Sequence, residues 1–246
     1  MDMTNEIAIV TGAGLGMGRA IALKLARCGA AVLVSDKSEE GANETAALIA
    51  AEGGKAVPAR CDVTVAQDIA DLFQFCPREL GQPDILIANA GVSRPCPLTE
   101  VTEEFYHSVY DINTKGTLFS LKEAGLHLKD GGRIVVISSC SARIPEKGMA
   151  VYSSSKAAAQ MMVEVAAQEF APRGITVNSI LPGLTGTPTM LRFASPEHVQ
   201  HAVDNTPLGR LGQAEDIAEV AAFLASRASH WVTGQHILAS GGCITA

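Results

Sequence analysis

A chain of 246 residues, 47% hydrophobic and 18% charged, has ample apolar material for a sizeable core. Its formal net charge of −7 argues against nucleic acid or an anionic membrane as the main partner. Six cysteines (Cys28, Cys61, Cys76, Cys96, Cys140, Cys243) lie scattered with no C-x-x-C pair or metal spacing. No basic stretch followed by an apolar run opens the chain, so reduced thiols in a cytoplasmic protein are expected, with no disulfides and no metal.

Short β-branched apolar runs alternate with longer helical patterns. The strand candidates are residues 6–10 (EIAIV), 31–35 (AVLVS), 55–59 (KAVPA), 85–88 (ILIA), 133–138 (RIVVIS), 175–180 (ITVNSI) and 235–238 (QHIL). Several are apolar throughout, which suits strands buried on both faces of a parallel sheet. Helical patterns cover residues 19–28, 39–52, 65–80, 103–129 and 151–170. The alternation predicts one α/β domain over 1–246, a doubly wound parallel sheet of about seven strands with helices on both faces. Residues 182–212 carry Pro182, Pro188, Pro196 and Pro207 and read as irregular, with a short helical patch at 196–203. A long connection after a strand near the carboxyl end of such a sheet predicts a substrate lid, at about 184–206.

After the first strand comes TGAGLGMG (residues 11–18), which departs from G-x-G-x-x-G and places Gly12, Gly16 and Gly18 in a T-G-x-x-x-G-x-G pattern. Glycines permit a tight turn and close backbone approach, and the free N–H groups of the next helix suit a pyrophosphate. Asp36, at the end of the second strand, is where a dinucleotide site wants a carboxylate for the adenosine ribose hydroxyls. The same charge repels a 2′-phosphate, and Leu15 stands where a phosphate-binding base would sit. NAD is therefore expected over NADP, with Lys37 the one basic neighbour. Tyr152 and Lys156 in VYSSSKAAAQ are four residues apart and share one helix face, cushioned by small residues.

The motifs TGAGLGMG (11–18), CDVT (61–64), ANAG (88–91), Asn113, ISS (137–139), YSSSK (152–156) and LPGLTGT (181–187) stand in order and spacing. Together they resemble a short-chain dehydrogenase/reductase of the ordinary, roughly 250-residue kind. Ser139 stands thirteen residues before Tyr152, as the pattern asks, and Ala88 replaces a more usual asparagine. The resemblance implies a Rossmann-type fold and catalysis by Asn113, Ser139, Tyr152 and Lys156. Hydride exchange between a nicotinamide and a carbonyl carbon needs a proton donor or acceptor on the oxygen. Tyrosine's reference value near 10 is too high for a neutral-pH base, and a nearby ammonium with oxidised nicotinamide is expected to lower it. Lys156 is also expected to bind the nicotinamide ribose, Ser139 the substrate oxygen, and Asn113 a water that links Lys156 to solvent. Ser153, Ser154 and Ser155 leave room for cofactor and neighbouring backbone. On bare chemistry, Ser139 could equally satisfy a strand-end backbone group, and Asn113 could bond main chain.

The remaining cofactor contacts follow from the resemblance. They are Leu15 and Met17 in the glycine loop, Asp62 and Val63 at the adenine, and Asn89, Ala90 and Gly91 on the adenosine and ribose side. Pro182, Gly183, Thr185 and Thr187 would meet the nicotinamide, and Thr11 is a structural hydroxyl. A pocket for a fairly apolar alcohol or ketone would use Ser141, Arg143, Met149, Val92, Leu184, Thr189, Met190 and Phe193, where Arg143 either attracts an acidic substrate or faces solvent. His198 and His201 read as a solvated helix face and Cys140 as a buried small residue. An NADPH-dependent 3-oxoacyl-carrier-protein reductase, which residues 207–226 also resemble, and a non-catalytic cofactor-binding scaffold are the alternatives. The family habit, and residues 231–242, imply a homotetramer.

Overall fold

Apolar runs four to seven residues long pair edge to edge in one sheet. The computed structural model describes residues 1–244; the side chains of Thr189, Phe193 and His198, three of the residues singled out above, lie outside what it describes. Strands β1 (Ile7–Thr11), β2 (Ala31–Asp36), β3 (Ala56–Arg60), β4 (Ile85–Ala88), β5 (Arg133–Ile137), β6 (Thr176–Pro182) and β7 (His236–Ala239) lie in the order β3-β2-β1-β4-β5-β6-β7, all neighbours parallel. Every expected strand is present, with ends within two residues. Strands β1, β4, β5 and β6 are buried along their whole length, as continuous apolar composition requires when helices cover both faces.

Side chains alternate between two cores. Val10, Val34, Ile87 and Val135 join Ile21 and Leu25 of helix α1 (Gly16–Arg27), Ile49 of α2 (Glu39–Ala51) and Ala218 and Ala221 of α9 (Ala214–Ala225). Ile9, Leu33, Leu86 and Val136 face the other way. They join Phe73 of α3 (Ala66–Glu79), Leu121 of α5 (Gly116–His127) and Val163 of α6 (Ala150–Phe170). The chain leaves β1 toward β2 on one side and meets β4 on the other, so a crevice opens at the carboxyl ends of these strands.

Three segments differ from expectation. The helix foreseen over 103–129 is two helices, α4 (Glu103–Tyr110) and α5, joined by a wider π turn at Asp111–Lys115 that contains Asn113. The segment 182–212 carries α8 (Pro196–Asp204) where the helical patch was expected, and in addition α7 (Pro188–Phe193), which was not. Helix α9 is absent from the helical patterns of the sequence, yet it covers one sheet face and its Glu219 pairs with Lys24 of α1 at 2.5 Å. Among the described residues no helix is long and apolar enough to cross a membrane.

Candidate active site

The loop after β1 is closed by contacts that leave no room for side chains. Gly12 has φ +62°, and a Cβ there would lie 2.8 Å from Ala90 Cα; one at Gly18 would lie 2.1 Å from the Gly12 carbonyl oxygen. Asn89 fixes this loop, its Nδ2 donating to the carbonyls of Thr11 (3.0 Å) and Gly12 (2.9 Å). The Thr11 hydroxyl accepts from the Asn89 and Ala90 amides, the structural role expected of it. Helix α1 then begins with no side-chain cap at Leu15 and no acid in its first turn, so its N–H groups and positive dipole end stay uncompensated. This cradle fits a dinucleotide pyrophosphate. Leu15 is exposed and Met17 half-buried beside it.

The carboxylate of Asp36 leans over the same loop and accepts from the amides of Gly14 and Ser38, both at 2.8 Å. Lys37, its basic neighbour, is held by Asp62 at 2.7 Å. Partial burial would raise the Asp62 carboxyl, but the bonds from Lys37 and Thr64 win and hold it at about 2. Val63 is buried against Gly116, and a Cβ on that glycine would lie 3.0 Å from the valine's own.

Four groups converge on the opposite side of the crevice. Ser139 stands two residues after β5 and caps the 3-10 turn Cys140–Ala142, its Oγ accepting from the Ser141 amide at 3.1 Å. The Tyr152 phenol lies near enough to Ser139 for that side chain to favour its ionised form. One turn later on α6, Lys156 is 5% exposed and its Nζ donates to the Ile137 carbonyl at 2.8 Å. A Cβ at Gly91 would lie 3.0 Å from that Nζ and 3.3 Å from Asn113 Oδ1, so only glycine leaves this corner open. Asn113 accepts from the Val92 amide (2.9 Å) and donates to the Val92 carbonyl (2.9 Å) and Ser155 Oγ (3.0 Å).

A family model described as enoyl-(acyl carrier protein) reductase matches residues 12–243. The chain belongs to the short-chain dehydrogenase/reductase family. It is 42% identical to an uncharacterized oxidoreductase of Methylorubrum extorquens, over 98% of both chains. A hydroxynaphthalene reductase-like protein of Metarhizium robertsii is 39% identical, over 99% of this chain and 97% of the relative. A solved structure of a 7α-hydroxysteroid dehydrogenase, complexed with NADH and 7-oxoglycochenodeoxycholic acid, superposes with a TM-score of 0.95 at 37% identity. That likeness covers 98% of this chain and 95% of the other.

Within this short-chain dehydrogenase/reductase the electrostatics depart from one expectation. Burial raises the Tyr152 phenol above its ordinary value, outweighing the Ser139 side chain, which lowers it. Lys156 does not offset this. Its own ammonium is weakened by burial to about 8, with no carboxylate beside it among the described residues. The protein alone therefore keeps the phenol protonated.

Other expected residues fall at the carboxyl edge of the sheet, with altered detail. Pro182 ends β6, and Gly183 lies so close to the chain after β7 that a Cβ would meet Ser240 Cα at 2.9 Å. Thr185 is buried and donates to the Gly183 carbonyl. The Thr187 hydroxyl caps α7 through the Met190 amide, and its methyl faces Gly16, 3.6 Å from where a Cβ would stand. Ser141, Met149, Leu184 and Met190 are half-buried, while Arg143 is exposed. Cys140 is buried as expected, its thiol pushed up to about 12 by burial, and His201 lies on an exposed helix face against Asn205.

Sequence reading undervalued three neighbours. Ser155 is fully buried and bridges Asn113 to α6 rather than merely leaving room. Ser138 Oγ donates to the Lys156 carbonyl and accepts from Gln160, fixing α6 against β5. The Ile137 carbonyl receives the ammonium, a role no side chain could signal. The unpaired burial of Lys156 predicts that Lys156→Met stabilises the fold at pH 7 by on the order of 1–2 kcal/mol. The folded value lies below the unfolded one, so the charged lysine opposes folding below pH 8. That penalty fades as the pH rises from 8 toward 10.5, and urea melts of both proteins across this range should show the gap closing.

Proposed function

We propose that this chain is an NAD-dependent oxidoreductase that exchanges a hydride with a secondary alcohol or ketone, with Tyr152 as the general acid–base. The observation that carries the reading is the junction of Ser139, Tyr152, Lys156 and Asn113 at the mouth of the glycine-loop crevice. The cradle at Gly12, Gly16 and Gly18 and the bare start of α1 would hold the pyrophosphate, with Asp36 on the adenosine ribose hydroxyls. Asp62 and Val63, Asn89 to Gly91, and Pro182 to Thr187 complete the groove, and Lys37 is drawn away from a 2′-phosphate by Asp62. These features favour NAD over NADP, in keeping with the NADH named in the solved relative.

The bound dinucleotide supplies or accepts the hydride. Ser139 orients the substrate oxygen, and the protonated Tyr152 donates to it during ketone reduction. Lys156 places a positive charge beneath the site and reaches the nicotinamide ribose, anchored by the Ile137 carbonyl. Asn113 acts by position: its amide clamps Val92 and Ser155 and keeps an open corner at Gly91, where a water would link Lys156 to solvent. Ser141, Met149, Leu184 and Met190 offer a mainly apolar wall. The ring-bearing alcohols in the names of two relatives support a carbonyl or hydroxyl on an apolar frame.

Tyr152→Phe should lower kcat by about 10²–10⁴-fold while NADH affinity, read by fluorescence, is retained. Unchanged turnover in that variant would restore the scaffold reading. The wild type should turn over ketones with NADH far better than with NADPH, whereas efficient NADPH-driven reduction of an acetoacetyl thioester would favour the carrier-protein reductase reading instead. We also assign a homotetramer. Exposed Leu118 and Leu126 on α5, Met161 and Val165 on α6, and Trp231, which is 93% exposed, supply apolar contact surface. Sedimentation should give four chain masses, and a monomer would refute the assembly.

A further inference from the structure

Ser155 precedes Lys156 on α6, is fully buried, and donates its hydroxyl proton to the Tyr152 carbonyl at 2.6 Å. A carbonyl only accepts, so that proton is committed and the Ser155 oxygen can only accept from a further partner. The partner is Asn113, whose Nδ2 donates to Ser155 Oγ at 3.0 Å. A hydroxyl bonded back to the carbonyl three residues earlier competes with the helix, and alanine, which fills positions 157–159, is the better helix former. Helix stability alone does not account for a serine here.

The committed proton decides which way the Asn113 amide faces. Only its NH2 end can stand against an accepting oxygen, and both hydrogens are then used, one on Ser155 and one on the Val92 carbonyl at 2.9 Å. Oδ1 is left on the other side. It accepts from the Val92 amide at 2.9 Å and borders the corner at Gly91, where a Cβ would lie 3.3 Å from Oδ1 and 3.0 Å from Lys156 Nζ. Val92 belongs to the loop after β4, whereas Ser155 belongs to the helix that carries Tyr152 and Lys156. A second bond joins the same elements, the Thr114 hydroxyl donating to the Ser155 carbonyl at 3.4 Å. Ser155 thus ties the π turn to α6, one residue from the ammonium.

We propose that Ser155 is a positioning residue for proton transfer: it holds the Asn113 oxygen toward the Lys156 ammonium, so that a water joins the two. The inference rests on the hydride exchange and the Tyr152 role proposed above. In ketone reduction Tyr152 gives its proton to the new alkoxide and is recharged from solvent through Lys156 and that water. Ser155 acts through Asn113 and touches neither substrate nor dinucleotide. Without its oxygen one buried Asn113 N–H is unpaired and the amide is free to turn, which breaks the proton path and leaves the cradle at Gly12, Gly16 and Gly18 intact.

Two variants separate this role from packing. Ser155→Ala removes the acceptor, and Ser155→Cys fills the space with a sulfur that accepts only weakly, so the cysteine variant carries the test if the alanine variant does not fold. Both should keep NADH affinity, read by fluorescence, and lose kcat for ketone reduction by about 10–100-fold, the scale of a misplaced group. Their kcat should show a larger solvent deuterium isotope effect than the wild type, because recharging Tyr152 becomes the slow step. In an Asn113→Ala background Ser155→Ala should cost no further kcat. Full turnover in Ser155→Cys, an unchanged isotope effect, weaker NADH binding, or an additive loss in the double variant would each overturn the proposal. Undiminished turnover in Tyr152→Phe would refute the proposed reaction and this inference with it, whereas an inactive Tyr152→Phe beside unimpaired Ser155 variants would refute this inference alone.

Discussion

A buried ammonium with no carboxylate beside it among the described residues is the constraint on which the site depends. The Lys156 ammonium is lodged between Gly91 and the end of β5 and donates to the Ile137 carbonyl. An arrangement shaped for stability alone would pair or replace such a charge, because desolvating it is expensive. The neighbours are instead small or made of backbone, so the charge stays unneutralised and faces the crevice. Asn113 belongs to the same arrangement. The π turn aims its amide at Val92 and Ser155, and thereby pins the loop after β4, where Gly91 passes close to the ammonium.

The phenol above this cation is not acidic in the protein alone. Burial outweighs the Ser139 side chain, and Lys156 is too weakened by its own burial to reverse the balance. The resting state thus has a proton on Tyr152, the one that the proposed reaction passes to a developing alkoxide. Running the reaction as an oxidation requires further positive charge near the oxygen, which oxidised nicotinamide carries. In the proposed reaction the protein supplies the geometry, and the cofactor supplies the further positive charge.

Much of this was legible in the sequence, for reasons that differ by element. Fully buried strands have continuous apolar runs, so all seven were found with small end errors. The π turn was hidden because inserting one residue into a helix leaves the apolar composition of residues 103–129 unbroken. Helix α9 escaped although its buried Ile217, Ala218, Ala221, Ala222 and Ala225 fall on one face at helical spacing. Pairings across the sheet cannot be read before its register is known. Asp36 stands opposite Arg60, which brings Lys37 to Asp62, and Pro182 stands opposite Ala239, which brings Ser240 against Gly183. The residues proposed for catalysis were visible through spacing, while the direction of their charge effects depended on burial that spacing does not encode.

The account turns on whether charge brought by the dinucleotide is what makes Tyr152 acidic. The chain has only three tyrosines, so the phenolate absorbance of the wild type less that of Tyr152→Phe isolates this residue. Titrated without cofactor, it should ionise above 10; saturated with NAD, it should ionise at clearly lower pH. Ionisation below 10 in the free protein, or the same midpoint with and without NAD, would contradict the account.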